Sequence, residues 1–259
     1  MPGLFNKTSV ITVYLIMKSI CYFFLITVFL SCNSAPDDSQ TIIDRAIALA
    51  GGENYDNTEV EFQFRDREYG YKREGGRFEY VRLFKDSSSV IRDVVSNGGF
   101  MREIDGLKVD VVDSMARKYL NSVNSVIYFA MLPYGLNDAA VNKTYLGKKT
   151  IDDKEYHKIR VTFDQEGGGD DFEDVFIYWI GTEDQKIGYL AYEFHVDGGG
   201  IRFRKAYNER YVGGIRFVDY INYKPAAGQP VEGTDDAYTS GELEELSKIE
   251  LKDIKVNRL

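Results

Sequence analysis

Residues 145–163 read YLGKKTIDDKEYHKIRVTF, and they decide what kind of fold the chain can adopt. Ile159, Val161 and Phe163 alternate with Lys158, Arg160 and Thr162, the period of two that turns one side of a strand to a core and the other to water. Asp152-Asp153 interrupts the run with a turn signal. Short acidic side chains tolerate the left-handed backbone of a tight hairpin, so the stretch predicts strand, turn and antiparallel strand.

Working outward, the same alternation returns at Val60, Phe62 and Phe64, set against Glu59, Glu61 and Gln63. Further strands are predicted near residues 71–84, 90–95, 100–104, 143–149, 172–180, 187–196, 201–211, 215–223 and 247–256. Turn signals such as Gly75-Gly76, Asn97-Gly98-Gly99, Asp105-Gly106 and Gly213-Gly214 separate them. Connections this short join antiparallel neighbours, so the strands form a meander. Two helices break the pattern. Ile42, Ile43, Ala46, Ile47 and Ala50 make one apolar stripe that Asp38 or Ser39 can cap and Gly51-Gly52 can end. Met115, Tyr119, Leu120, Val123, Val126, Ile127 and Ala130 recur at helical spacing after Asp113 or Ser114 and stop before Pro133 and Gly135. A short helix is expected over 235–246. The fold class is therefore α+β, mostly antiparallel β, with a large curved sheet covered by two or three helices.

The chain has 259 residues, among them 24 glycines, 19 tyrosines and 16 phenylalanines, with charges spread throughout. That composition suits a folded β-rich protein and not a disordered one. Only 224–233 (KPAAGQPVEG) reads as a linker, and there is no internal repeat, so residues 41–259 are expected to form a single domain. The net charge is −9. Basic residues are interleaved with acids instead of gathered in a stripe, which excludes nucleic acid as a partner.

The only two cysteines, Cys21 and Cys32, lie in the opening segment, so the body has neither a disulfide nor a thiol nucleophile. That segment, residues 17–32, reads MKSICYFFLITVFLSC. A membrane helix over residues 10–31 would place Lys18 mid-span, which is unfavourable. A signal peptide over residues 1–31 fits better: Lys18 is the positive n-region, residues 20–30 the apolar h-region, and a small residue precedes Cys32. Residues 1–16 then read as an upstream extension. Phe29-Leu30-Ser31-Cys32 resembles the lipobox of bacterial lipoproteins, in which the cysteine is acylated after cleavage; Leu30 departs from its usual small residue. The alternative is a cleaved signal with an incidental cysteine. Residues 32–40 read as a polar, lipidated tether. The expected location is the cell envelope at the outer membrane, with the membrane face open.

Few residues point to chemistry. The run 164–174 (DQEGGGDDFED) could attract a hard cation, but it has no EF-hand spacing and lies between strong strand patterns, where it reads as a solvated turn. His157 and His195 each stand in a strand pattern without a ligand-spaced partner, and no HExxH or GxSxG occurs. No metal and no cofactor are expected, and the chain is read as not an enzyme. The aromatics are the stronger signal. A large curved sheet closed by few helices leaves room between its side chains, and the candidate ligand-binding residues are Phe62, Phe64, Tyr119, Phe163, Tyr192, Phe194, Phe203 and Phe217.

The helix segment IIDRAIALAGG, the stretch 145–163, the hairpin FIYWIGTEDQKIGYL and the segment YNERYVGGIRFVDYINYKP together resemble an uncharacterised family of Gram-negative lipoproteins. That family sits in the broad superfamily of the lipoprotein carriers LolA and LolB and the lipid-binding lipoprotein LppX. The resemblance spans most of 41–256. It implies a curved half-barrel of about ten or eleven antiparallel strands wrapped around helices, with an apolar hollow that accommodates acyl chains, and it carries over no functional residue one by one. Three functions follow in order: a lipid-anchored, non-catalytic binder of a lipid or other apolar ligand; an interaction module that docks an envelope protein by a sheet edge or aromatic patch; and a hydrolase with a carboxylate or metal site. The membrane, through acyl chains on Cys32, is the expected partner in all three.

Overall fold

The computed structural model describes residues 38–169, 171–195 and 198–259; the leader, Cys32 and most of the tether lie outside the described residues. The first helix, α1 (Ser39–Ala50), begins where its sequence asks: the Asp38 carboxylate accepts a hydrogen bond from the Gln40 amide, and Gly51 closes it with a bond to the Ile47 carbonyl. Six strands follow: β1 (Thr58–Phe64), β2 (Arg67–Glu74), β3 (Arg77–Asp86), β4 (Ser89–Ser96), β5 (Gly99–Ile104) and β6 (Leu107–Val109). Then comes α2 (Asp113–Ala130), and after it β7 (Val141–Ile151), β8 (Lys154–Phe163), β9 (Val175–Gly181), β10 (Ile187–Phe194), β11 (Gly200–Val212) and β12 (Ile215–Lys224). A short helix, α3 (Thr234–Thr239), precedes β13 (Glu244–Ile249) and β14 (Leu251–Arg258).

The strands form two seven-stranded antiparallel sheets among the described residues. Sheet 1 runs β14-β1-β2-β3-β4-β5-β6 and sheet 2 runs β13-β12-β11-β10-β9-β8-β7. The mostly antiparallel α+β class is the one the sequence predicts, with fourteen strands in two sheets where about ten or eleven in one were expected. The division has local causes. Gly75 and Gly76, at φ 53° and 82°, turn the chain between β2 and β3 as a glycine pair readily does. Helix α2 then separates β6 from β7, so the two meanders never pair with each other. The expected last strand, 247–256, is broken at Glu250, and its halves join opposite sheets. At the break the Leu251 amide donates to Asp219 Oδ1 at 2.9 Å and Arg210 Nη2 donates to the Leu251 carbonyl at 2.6 Å. Side chains there replace the ladder bonds lost on changing sheets.

The stretch 145–163 is the hairpin of β7 and β8. Asp152 and Asp153 sit at φ 48° and 61°, the paired left-handed conformations of the turn that matches strand twist. Ile151 pairs with Lys154, and Tyr145 with Ile159. Helix α3 is shorter than expected because Gly241, at φ 75°, follows its last turn.

The two sheets bury their residues differently. In sheet 1, Val60, Phe62, Tyr69, Tyr71 and Val95 pack toward Val123 and Ile127 of α2, while alternate positions such as Glu61 and Glu68 remain in water. Sheet 2 is covered on both faces. Ile159, Val161, Tyr178, Leu190 and Tyr220 pack against Ile42, Ile43 and Ala46 of α1, on the side called inner here. On the outer side Trp179, Tyr189 and Phe203 pack with Val231 and the ring of Tyr238. Burial on both faces explains why β9, VFIYWIG, is an unbroken apolar run rather than an alternating one.

Candidate ligand-binding hollow

The antiparallel register builds two adjacent cross-strand rows on the inner face of sheet 2. One row is Val161, Phe176, Tyr192 and Arg202; the other is Ile159, Tyr178, Leu190, Arg204, Asn222 and Ser247. Opposite them lies the last turn of α2, which presents Tyr128 and Phe129. These two residues stand beside Val123 and Ile127 at helical spacing but face the second sheet instead of the first. The helix is thus shared: one face fills sheet 1 and another approaches sheet 2 without filling it.

The unfilled space is a hollow of about 720 Å3 walled by Phe129, Phe163, Phe176, Tyr192 and Phe194, with Ser125, Asn124 and Lys118 along the helix side and Gly168, Asp174 and Arg202 along the sheet side. The aromatic wall is a connected set. Phe176 stacks on Tyr192 with ring centres 5.4 Å apart, Phe129 lies 5.1 Å from Tyr192, and Phe163 meets Phe176 edge-on at 5.7 Å. Below it the hydroxyls of Tyr128 and Tyr178 share a 2.6 Å hydrogen bond, and burial pushes the pKa of each above the ordinary tyrosine value. Both therefore stay neutral at physiological pH. At the sheet-side rim, burial pushes the Asp174 carboxyl up, opposed by the hydrogen bond it makes with His195 at 3.4 Å.

A second hollow of about 200 Å3 shares Ser125 and Phe129 with the first, and Phe64, Arg204, Val218, Tyr220, Asn222 and Ile249 complete much of its wall. The Arg204 guanidinium carbon lies over the Phe129 ring, 3.9 Å from its centre, and Nη2 donates to the Tyr192 hydroxyl at 2.8 Å. A depression of about 640 Å3 on sheet 1 is walled largely by charge, including Glu59, Glu61, Glu68, Lys72 and Glu79. Its walls suit an apolar ligand far less than the aromatic hollow does.

Of the residues singled out in the sequence, Phe163, Tyr192 and Phe194 line the large hollow and Phe64 lines the small one. Phe62 is stacked on Tyr69 in the sheet 1 core, and Phe217 is packed in the same cluster. Phe203 points to the outer face of sheet 2, against Trp179 and Tyr238. Tyr119 lies over Arg102, 3.6 Å from its guanidinium, beside Phe100. The sequence reasoning missed Phe129, Phe176 and Arg204. The register pairs Tyr192 with Phe176 and Arg202, and Leu190 with Arg204, a placement that local alternation alone does not give.

A family model described as a family of unknown function (DUF6503) matches residues 18–250. The chain belongs to that family. No curated protein matches this DUF6503 chain. Among solved structures it is similar to a LolA superfamily protein from Nitrosomonas europaea, at 12% identity and a TM-score of 0.47, over 85% of this chain and 94% of that one. It is also similar to a DUF1329 family protein from Desulfovibrio piger, at 9% identity and a TM-score of 0.42, over 84% of this chain and 92% of the other. A putative outer membrane lipoprotein-sorting protein domain from Vibrio parahaemolyticus matches at 7% identity and a TM-score of 0.35, over 85% and 92% of the two chains.

Proposed function

We propose that this DUF6503 chain is a non-catalytic, lipid-anchored protein of the bacterial envelope that holds a lipid or other apolar ligand between α2 and the inner face of sheet 2. The observation that supports this most is the aromatic hollow of about 720 Å3. Its size falls within the range of about 300–1,000 Å3 that small-molecule sites occupy, and its wall is apolar with polar groups at the rim. Five aromatic rings bordering one open groove give an apolar ligand a large contact surface.

Acyl chains on Cys32 would fix the protein to the outer membrane, residues 33–37 would act as its tether, and residues 38–259, which include the whole of α1, would form the binding domain. Solvent extraction of protein purified from membranes, followed by mass spectrometry, should recover one apolar compound in near-stoichiometric amount. After extraction, the polyene probe parinaric acid should bind with a rise in fluorescence. A protein that carries no extractable compound and leaves the probe dark would overturn the reading.

A further inference from the structure

Among the described residues three arginines are buried. Arg82 donates to Asp93, and Arg216 Nε lies 3.0 Å from Glu209 Oε2. Arg204, only 8% exposed, has no carboxylate beside it. Its Nη2 donates to the Tyr192 hydroxyl at 2.8 Å, and the hydroxyls of Tyr220 and Tyr178 are the other polar groups that bear on its guanidinium. Its Nε has no hydrogen-bond partner. A buried cation without a counter-charge is among the least favourable arrangements in a folded protein, and it persists where something else supplies the charge.

The surroundings of Arg204 are arranged for an anion. It shares its cross-strand row with Asn222 and Ser247, and all three line the small hollow. Asn222 Oδ1 is also buried without a partner, while its Nδ2 faces Ser247 Oγ at 3.5 Å. A half-turn of that amide lets the serine hydroxyl donate to Oδ1 and leaves an amide N–H without a partner beside the hollow's wall. Guanidinium, amide and hydroxyl would then converge on one volume, with Phe129 as the wall toward the larger aromatic hollow. A guanidinium is planar, and its fork of donors suits two oxygens of one group.

We propose that Arg204, with Asn222 and Ser247, receives the oxyanion head of an anionic amphiphile whose apolar chain occupies the aromatic hollow. This deepens the apolar-ligand reading and rests on it. The ligand class becomes a chain ending in a carboxylate or phosphate, rather than a neutral lipid such as a fatty alcohol or glyceride.

The test is a calorimetric titration of the extracted protein with oleic acid at pH 8, with oleyl alcohol of the same chain length, and with inorganic phosphate. Wild type should bind the acid roughly tenfold or more tightly than the alcohol, the effect of one charge-assisted hydrogen bond, and should bind phosphate far more weakly than either. Arg204→Met, its fold checked by circular dichroism, should bind both chains with the affinity that wild type shows for the alcohol. Equal affinity of wild type for acid and alcohol, a comparison that needs no variant, would overturn the head-group assignment and leave the apolar site standing. Retained acid preference in Arg204→Met would overturn it too. Phosphate binding as tightly as oleate would make the site one for a free anion. Failure of both chains to bind would overturn the apolar reading and this one together.

Discussion

At the scale of single residues, the buried charged groups among the described residues lie against an ion-pair or hydrogen-bond partner of suitable sign, with Arg204 the exception. Asp93 is fully buried and accepts from Arg82 Nε at 3.0 Å and from Arg102 Nε at 2.6 Å, while Arg82 Nη1 donates to Ser122 of α2 at 2.8 Å. One carboxylate thus bonds two guanidiniums under the helix. Asp93→Asn would strand both, and the expected loss is about 3–5 kcal/mol, read from urea unfolding at neutral pH. A loss under about 1 kcal/mol would mean that water reaches the cluster. Glu209 plays the same part nearer the surface, between Lys186 and the buried Arg216. Burial pushes its carboxyl up, but hydrogen bonds from Lys186 and Arg216 and their charges outweigh this and hold it below the ordinary glutamate value. A depressed carboxylate contributes stability that is present above its unfolded pKa, about 4.3, and is lost as pH falls through the lower folded value. Glu209→Gln should therefore cost about 1 kcal/mol at pH 7, and the gap from wild type should narrow below about pH 4. A gap independent of pH would assign the contact to packing.

At the scale of elements, α2 carries the argument because two of its faces meet two different sheets. Val123 and Ile127 are buried against sheet 1, whereas exposed Ser125 stands at the lip common to both hollows. Ile127→Ala should cost about 2–5 kcal/mol in unfolding experiments, as a cavity in a packed core does. Ser125→Trp should leave stability within about 0.5 kcal/mol of wild type, as a surface change does, and weaken parinaric acid binding by laying an indole across the lip. If Ser125→Trp binds the probe unchanged, the entrance lies elsewhere. The same element shows what could be read in advance. The 145–163 hairpin was legible because both signals, the period of two and the Asp152-Asp153 turn, are local. The helix was legible for the same reason. Which face of a strand meets the hollow was not, because a one-residue step reverses it. Phe203 was selected for being aromatic, yet its neighbour Arg204 is the residue that faces inward. Nor could the chain's crossing between sheets at Glu250 be read locally, since it depends on Asp219 and Arg210, which lie far earlier in the chain.

At the scale of the whole molecule, the binding domain and the anchor are expected to be separable, because every wall of the hollow comes from residues after position 60 and the acylated cysteine would be at position 32. Among the described residues no helix is long and apolar enough to cross a membrane. In the proposed reading, acyl chains on Cys32 attach the protein to the membrane. Each buried methylene contributes about 0.8 kcal/mol, so one acyl chain holds a protein only marginally whereas two or three hold it stably. Loss of the thiol removes all of them at once, without touching the fold. Cys32→Ala should accordingly move the protein from the membrane pellet to the soluble fraction and abolish incorporation of labelled palmitate. It should leave the extracted compound and the probe affinity of the hollow as in wild type. Retention in the membrane with labelling lost would point to the uncleaved apolar segment, residues 20–30, as a span. Release accompanied by loss of the bound compound would show that the hollow is loaded at the membrane by the anchored form, tying the two ends of the molecule into one function.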